Sequence, residues 1–518
     1  LINSYKSELL ILFFIYLISN IFLLLNFNAI YWDDWVWFYQ DDISFVYKAF
    51  DQLKLGYKGD FFLFLMNIDF YGGYPFRVFV FISSFISGLC LYYIISKVDY
   101  FDKHSRFFIV LFFLVAPLYS SKMIPSIAQF YLPVMFYFIG FATLVKFVHS
   151  KNVLYRILAL ILFTLSFSTN SVLVFYFIIF IFLYYFHFNS FNGILEFIKN
   201  MLLISKKYID FLLIPFLYYI YKSIYMVPFG LYDGYNSVSL LKMIDPIKYL
   251  SAIENSFFEP IFISIKLIYP IVPVIIFVIF IINRIRKNKI EQKNQKYLIL
   301  FILGVIIFVL GSMPYIAVDK MPTMHNMNSR FQILLSLGFS IMLYYIIMLI
   351  FANKVKIYIL SILCLSFVLF HIKDQLLWNI DWQYQQSIQE NFKTFEIVKN
   401  NSTFVVINNL GNKLYNERRQ SFYELNGISK KAFGDDKRFF VNNINEINSY
   451  KKYREYKHYN FSSWIDSQPI TIYFVDALEK NVGYSRKNKL KFFIKLKYLE
   501  LFNKEKYRQE VSKLVEIK

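Results

Sequence analysis

Two adjacent carboxylates, Asp33 and Asp34, stand inside the aromatic stretch Tyr31-Trp32-Asp33-Asp34-Trp35-Val36-Trp37. Neighbouring acids can divide the work of a group transfer. One takes the proton of an attacking hydroxyl while the other orients the acceptor or holds a divalent cation. The stretch follows an apolar run over 8–26, which places the acids where a membrane helix emerges into water. Charge so close to hydrocarbon is costly, so ionisable groups there are candidates for function. The alternative is an interfacial cap, with the acids in water and Trp32, Trp35 and Trp37 as an aromatic belt.

A second cluster is cationic. In Asp319-Lys320-Met321-Pro322-Thr323-Met324-His325-Asn326-Met327-Asn328-Ser329-Arg330, three cationic or titratable side chains precede an apolar run. Arg330, helped by Lys320 and His325, could hold the charge of a departing phosphate. Snorkelling to the head groups is the alternative for Arg330. His325 has no second histidine or acid at metal-ligand spacing, which argues against zinc. Tyr71-Gly72-Gly73-Tyr74-Pro75-Phe76-Arg77 sets a further arginine at the mouth of the second apolar run. Ser168-Thr169-Asn170-Ser171 reads as a short outer hairpin turn, and Lys222 and Lys266 read as snorkelling residues beside spans.

These residues need a scaffold, and the composition says which kind. Hydrophobic residues make up 57% of the 518 and charged residues 17%, with a mean hydropathy of +0.45. Soluble chains carry about 25% charged residues. Apolar runs approach the ~20 residues that cross a bilayer. They predict spans near 8–26, 77–97, 106–119, 127–147, 154–168, 172–187, 208–227, 259–283, 297–316, 331–352 and 357–372, about eleven in all. Pro117, Pro133, Pro215 and Pro314 predict kinks. The first run is too long for a signal peptide and has no small-residue cleavage site after it. Cys90 and Cys364 lie inside apolar runs and read as packing residues.

The net charge of +20 would point to nucleic acid in a soluble protein. Here much of it sits in short loops, where it sets topology, and no nucleic-acid partner is expected. Lys/Arg-rich segments near Lys6, Lys97–Arg106, Lys146–Arg156, Lys199–Lys207, Arg284–Lys296 and Lys354–Lys356 place the N-terminus in the cytoplasm. The acidic loop, 27–76, is then outside, its Trp35–Leu55 part suited to helices lying at the interface. With an odd number of spans, everything after about 373 is outside too. That tail has no membrane-length run. Leu377, Ile380, Tyr384, Ile388 and Phe392 predict a helix over Gln375–Lys399. Phe404–Asn408 and Ile470–Val475 predict strands. The expected architecture is an all-α polytopic membrane domain, 1–372, followed by a small extracytoplasmic α/β domain, 373–518.

An acidic pair opening the first outer loop, many spans behind it and a C-terminal outer domain together resemble the GT-C fold glycosyltransferases. The residues carrying the resemblance are Asp33-Asp34-Trp35, with Arg77 in a Gly/Arg-bearing loop end similar to that of some members. The resemblance implies transfer of a sugar from a polyprenyl-phosphate donor to a glycan or lipid-linked acceptor at the outer face of a bacterial cytoplasmic membrane. It makes Asp33 or Asp34 the catalytic base or acceptor-orienting acid, with Mg or Mn possible at Asp34. Arg330, His325, Lys320, Arg77 and Trp35 would be the substrate-binding residues. Two alternatives stay open: a flippase or other polysaccharide-export protein, and a glycan polymerase or ligase. A flippase calls for charged residues deep in the spans. No Walker loop, dinucleotide fingerprint or Ser-His-Asp pattern is present, which argues against ATP-driven transport.

Overall fold

Helices run through this chain wherever apolar residues are uninterrupted, and they end at polar caps and prolines. The computed structural model describes residues 2–39, 43–68, 72–188, 193–234, 236–268, 293–351, 353–448 and 464–518. Helix α1 (Ile2–Ser19) is followed by the acidic loop, which folds into the short helices α2 (Asp34–Phe38) and α3 (Tyr57–Asn67) with a further ten-residue helix over Ile43–Gln52 between them. Helices α4 (Tyr74–Ser96), α5 (Lys103–Val115), α6 (Tyr131–Ser150), α7 (Val153–Ser166), α8 (Ile209–Tyr225), α9 (Lys293–Ala317) and α10 (Leu335–Ile350) make up most of the apolar half.

The expected eleven spans are not what the chain builds. Among the described residues, five helices are long and apolar enough to cross a membrane: Tyr74–Ser96, Pro125–Ser150, Asn170–Phe188, Gln295–Ala317 and Val355–Thr394. These match the expected spans at 77–97, 127–147, 172–187, 297–316 and 357–372. The expected spans at 106–119, 154–168 and 331–352 are helices of 13, 14 and 16 residues. At 1.5 Å per residue such helices reach only about 20–24 Å, short of a ~30 Å hydrocarbon layer. The first run breaks at Asn20 after 18 residues, and α8 has 17 residues with Pro215 inside.

A hydropathy window counts apolar residues whether or not the helix continues, and caps decide the difference. Asp102 accepts the Ser105 N–H at 2.7 Å and starts α5, and Pro117 lies just past its end. Asn152 accepts the Leu154 N–H at 2.9 Å and starts α7. Pro133 sits in the first turn of α6, where its missing N–H costs nothing. Among the described residues, Pro215 and Pro314 lie in helix interiors. The expected span at 259–283 is described only as far as residue 268. The basic run 284–289, Asp41, Asp42, Asp69 and Tyr71 lie outside the described residues.

The outer surface of these helices is apolar: Leu154 is 72% exposed, Leu217 62% and Phe262 61%. An apolar surface of that extent suits lipid rather than water. The chain is a helical, membrane-embedded protein with a small sheet.

Helix α11 (Asn353–Thr394) joins its two halves. It contains neither Gly nor Pro over 42 residues, so the expected break near residue 373 does not occur. Its length is about 63 Å, roughly twice a bilayer core. The C-terminal half buries Trp378, Trp382, Tyr384, Ile388 and Phe392 against the tail. There β1 (Thr403–Asn408), β2 (Phe439–Val441), β3 (Ile470–Asp476) and β4 (Val515–Ile517) form one sheet in the order β2-β1-β3-β4. β1 pairs in parallel with β2 and β3, and β4 is antiparallel to β3. The crossover from β1 to β2 includes α12 (Phe422–Phe433), which packs on α2 of the acidic loop as well as on α11.

Candidate functional site

The two aspartates have different surroundings. Asp34 is fully buried at the start of α2. One of its oxygens accepts the Tyr31 N–H at 2.9 Å. The other accepts the Ser126 N–H at 2.8 Å. Burial pushes its carboxyl up to about 7, against the pull of those N–H groups and of the Arg77 charge. Asp34 therefore ties the acidic loop to the 3₁₀ segment Pro125–Phe130.

Asp33 is half-buried. Its carboxyl is also raised by burial, while the charge of Arg330 and a hydrogen bond from Tyr423 favour the carboxylate. The structure thus brings together the acidic loop, the late loop that carries Arg330, and helix α12 of the tail. Sequence spacing separates Asp33 from Arg330 by almost three hundred positions, and only the fold makes them neighbours.

The other expected site residues divide by environment. Arg77 is fully buried and donates to main-chain carbonyls: Met123 from Nε and Nη2 at 3.1 and 3.0 Å, Asn26 from Nη1 at 2.8 Å, and Ala29 from Nη2. It clamps the base of the acidic loop to the 120–123 turn. Gly73 is needed beside it, since a Cβ there would lie 2.5 Å from Pro125 Cγ and 2.9 Å from Ala29 O. Trp35 is buried, with its indole N–H bonded to Gln385 Oε1 at 2.8 Å. Gly427 of α12 fits against it, as a Cβ there would come within 2.9 Å of Trp35 Cβ.

In the late loop, Arg330 is half-buried and its guanidinium lies 4.9 Å from the Phe331 ring centroid. Lys320 bonds Asn236 Oδ1 and lies 5.5 Å from the same ring. His325 faces Glu259, Nε2 to Oε1 3.7 Å. The charge of Arg330 bears on Asp33, whereas Lys320 and His325 have partners of their own elsewhere in the loops.

Both Asp34 oxygens are engaged by backbone N–H groups, and among the described residues no three His, Cys, Asp or Glu side chains converge.

No protein-family model matches the chain, and no curated protein is similar to it.

Sequence reading missed the groups that hold the acidic loop. Arg418 lies between Asp381 and Glu424, and all three are buried. It donates to Asp381 at 2.6 and 2.9 Å and to Glu424 at 2.8 and 2.9 Å. Glu424 also accepts the Trp32 N–H at 3.1 Å, and Arg418 lies 4.9 Å from the Trp32 ring centroid. Trp32 has φ +47°, a left-handed conformation unfavourable for a bulky side chain. The tail thus holds a strained residue immediately before Asp33. One signal was readable: Ser421-Phe422-Tyr423-Glu424 has the spacing of a capping box, and Ser421 N–H does bond Glu424 at 2.8 Å.

A second buried polar group sits where α11 leaves the apolar half. Asp374 accepts from Ser120 at 3.1 and 3.0 Å and from Tyr415 at 2.7 Å. Lys122 bonds Asn20 Oδ1 at 2.7 Å and His371 Nδ1 at 3.0 Å.

Proposed function

We propose that this protein is an integral membrane glycosyltransferase that moves a sugar from a polyprenyl-phosphate donor to a glycan or lipid-linked acceptor. The observation that carries this reading is that Tyr423 bonds Asp33 and the charge of Arg330 bears on it, while both Asp34 oxygens are held by backbone N–H groups. Asp33 takes the proton of the acceptor hydroxyl as its oxygen bonds to the sugar's anomeric carbon. The bond from that carbon to the phosphate oxygen breaks, and Arg330 receives the charge left on the phosphate. No step is routed through a metal. The apolar helices offer the isoprenoid chain a surface within the bilayer, and α12 borders the acid on the side where an acceptor would enter. The outer face of a bacterial cytoplasmic membrane is the setting this chemistry implies.

The test is surface-glycan mass spectrometry on cells that carry wild-type protein, Asp33→Asn or Asp34→Asn at equal membrane abundance. Asp33→Asn is expected to remove a sugar mass, with protein thermal stability kept. Unchanged glycans with Asp33→Asn would sink the reading. A lipid-phosphate flippase is the second reading, favoured by Lys122, His371 and Asp374 buried beside α11. It predicts glycans that depend on Lys122 and not on Asp33.

A further inference from the structure

Two lysines at the outer ends of the apolar helices have no acid beside them. Lys58, near the start of α3, is 6% exposed. Its ammonium lies 5.7 Å from the Phe130 ring centroid. Among the described residues no carboxylate bonds it, and the one charge that bears on it is another cation, Lys222. Lys222, near the end of α8, reaches only the Ser168 carbonyl, at 3.4 Å.

The Ser168 turn links the two. The Tyr57 hydroxyl lies 2.8 Å from Ser168 Oγ, Lys222 reaches the carbonyl of the same residue, and the Lys222 charge bears on Lys58, so the two lysines lie near this turn from two elements. Thr169 in that turn is buried, and its hydroxyl has no hydrogen-bond partner. The turn also runs toward the proposed centre, because Tyr315 bonds Ser171 at 3.2 Å and feels the charge of Arg330.

Buried charges in proteins are paired or they lose their charge. Burial, and then Lys222, push the Lys58 ammonium down to about 7, so it can give up its proton when nothing is bound. Two lysines and an unpartnered hydroxyl near one turn, with no acid bonded to either lysine among the described residues, are the complement of an anion, and phosphate oxygens suit all three donors.

We propose that Lys58, Lys222 and Thr169 form an anion site that takes a phosphate carried on a lipid. Access from the bilayer favours a lipid source. The positions one turn either side of Lys222 on α8 are open, with Tyr219 62% and Tyr225 67% exposed, so a head group can arrive sideways with its chain still in hydrocarbon. Assigning that phosphate to the sugar donor rests on the transferase reading. The anion site itself does not.

The experiment uses the full chain in phosphatidylcholine nanodiscs, with farnesyl phosphate, farnesol and inorganic phosphate as probes and calorimetry as the readout. Farnesyl phosphate is expected to bind and farnesol not. Lys58→Met and Lys222→Met should each weaken binding about tenfold or more, the loss of one charge-assisted contact. Lys58→Arg should restore much of it. Burial also pushes Lys222 down, to about 8, so binding to wild type near pH 8 should take up protons on both lysines, and Lys58→Met should reduce that uptake to the part Lys222 supplies. Inorganic phosphate binding as tightly as farnesyl phosphate would overturn the lipid source. Wild-type affinity in both methionine variants, or no phosphate binding at all, would overturn the site. Should Lys58→Met not fold, Lys222→Met and Thr169→Val carry the test, since both replace groups at the margin of the cluster. If binding depends on these lysines while Asp33→Asn leaves glycans intact, the site stands and the transferase reading falls.

Discussion

Arg418 and Lys58 are both buried cations, and their surroundings are opposite. Arg418 has a carboxylate on each side, Asp381 and Glu424, with five N–H donors to share between them. Lys58 has an aromatic ring and a second lysine. A buried cation with matched acids is part of the fold, because its charge is neutralised by groups the chain itself supplies. One without acids is stable only by shedding its proton or by meeting a partner from outside. The contrast separates the structural cation from the binding one without reference to any relative.

The comparison breaks most visibly at Arg418. Arg418→Met leaves Asp381 and Glu424 facing each other without a counter-charge, and should cost about 3–5 kcal/mol of stability, the range for breaking a buried pair. Thermal unfolding in detergent measures it. A change too small to detect would mean that the triad is open to water.

Glu424→Gln is the next largest. It keeps the shape but removes one carboxylate from Arg418 and weakens the acceptor for the Trp32 N–H. The expected loss is about 1–3 kcal/mol. If Glu424 positions Trp32, and through it Asp33, transfer should fall further than stability explains, and Glu424→Asp should recover part of the rate. A loss of activity that tracks stability alone would reduce Glu424 to a packing role.

The smallest effect is the sharpest on sign. Between about 7 and its ordinary value of 10.5, the unfolded Lys58 holds a proton that the folded one lacks. Stability therefore rises with pH across that window. Lys58→Met should lose this component, so the gain in unfolding temperature from pH 7 to pH 9 should be smaller than in wild type. Equal gains would show that Lys58 keeps its charge when folded, which requires a counter-charge.

Class and punctuation were legible in the sequence. The charge deficit and the apolar runs identify a helical membrane protein, and the strands around Phe404–Asn408 and Ile470–Val475 stand where alternation put them. The acidic pair and Arg330 were readable as candidates by residue type and place. Helix length was less legible, because a hydropathy window does not see that Asn20, Asp102 and Asn152 start and stop helices inside apolar text. At residue 373 the case is the opposite: polarity changes there, but nothing in Asn353–Thr394 breaks a helix, and one helix runs through.

Tertiary structure alone decided how the two aspartates differ. Asp33 and Asp34 are identical in type and adjacent in sequence, and they differ only because Ser126 N–H lies against one and Tyr423 and Arg330 bear on the other. The same holds for the lysines, since Lys58 and Lys222 acquire meaning from the absence of acids around them. Residue type and spacing specify what a side chain can do, through its charge and its donors. What it does depends on the dielectric and the partners around it, and contacts across hundreds of residues set both.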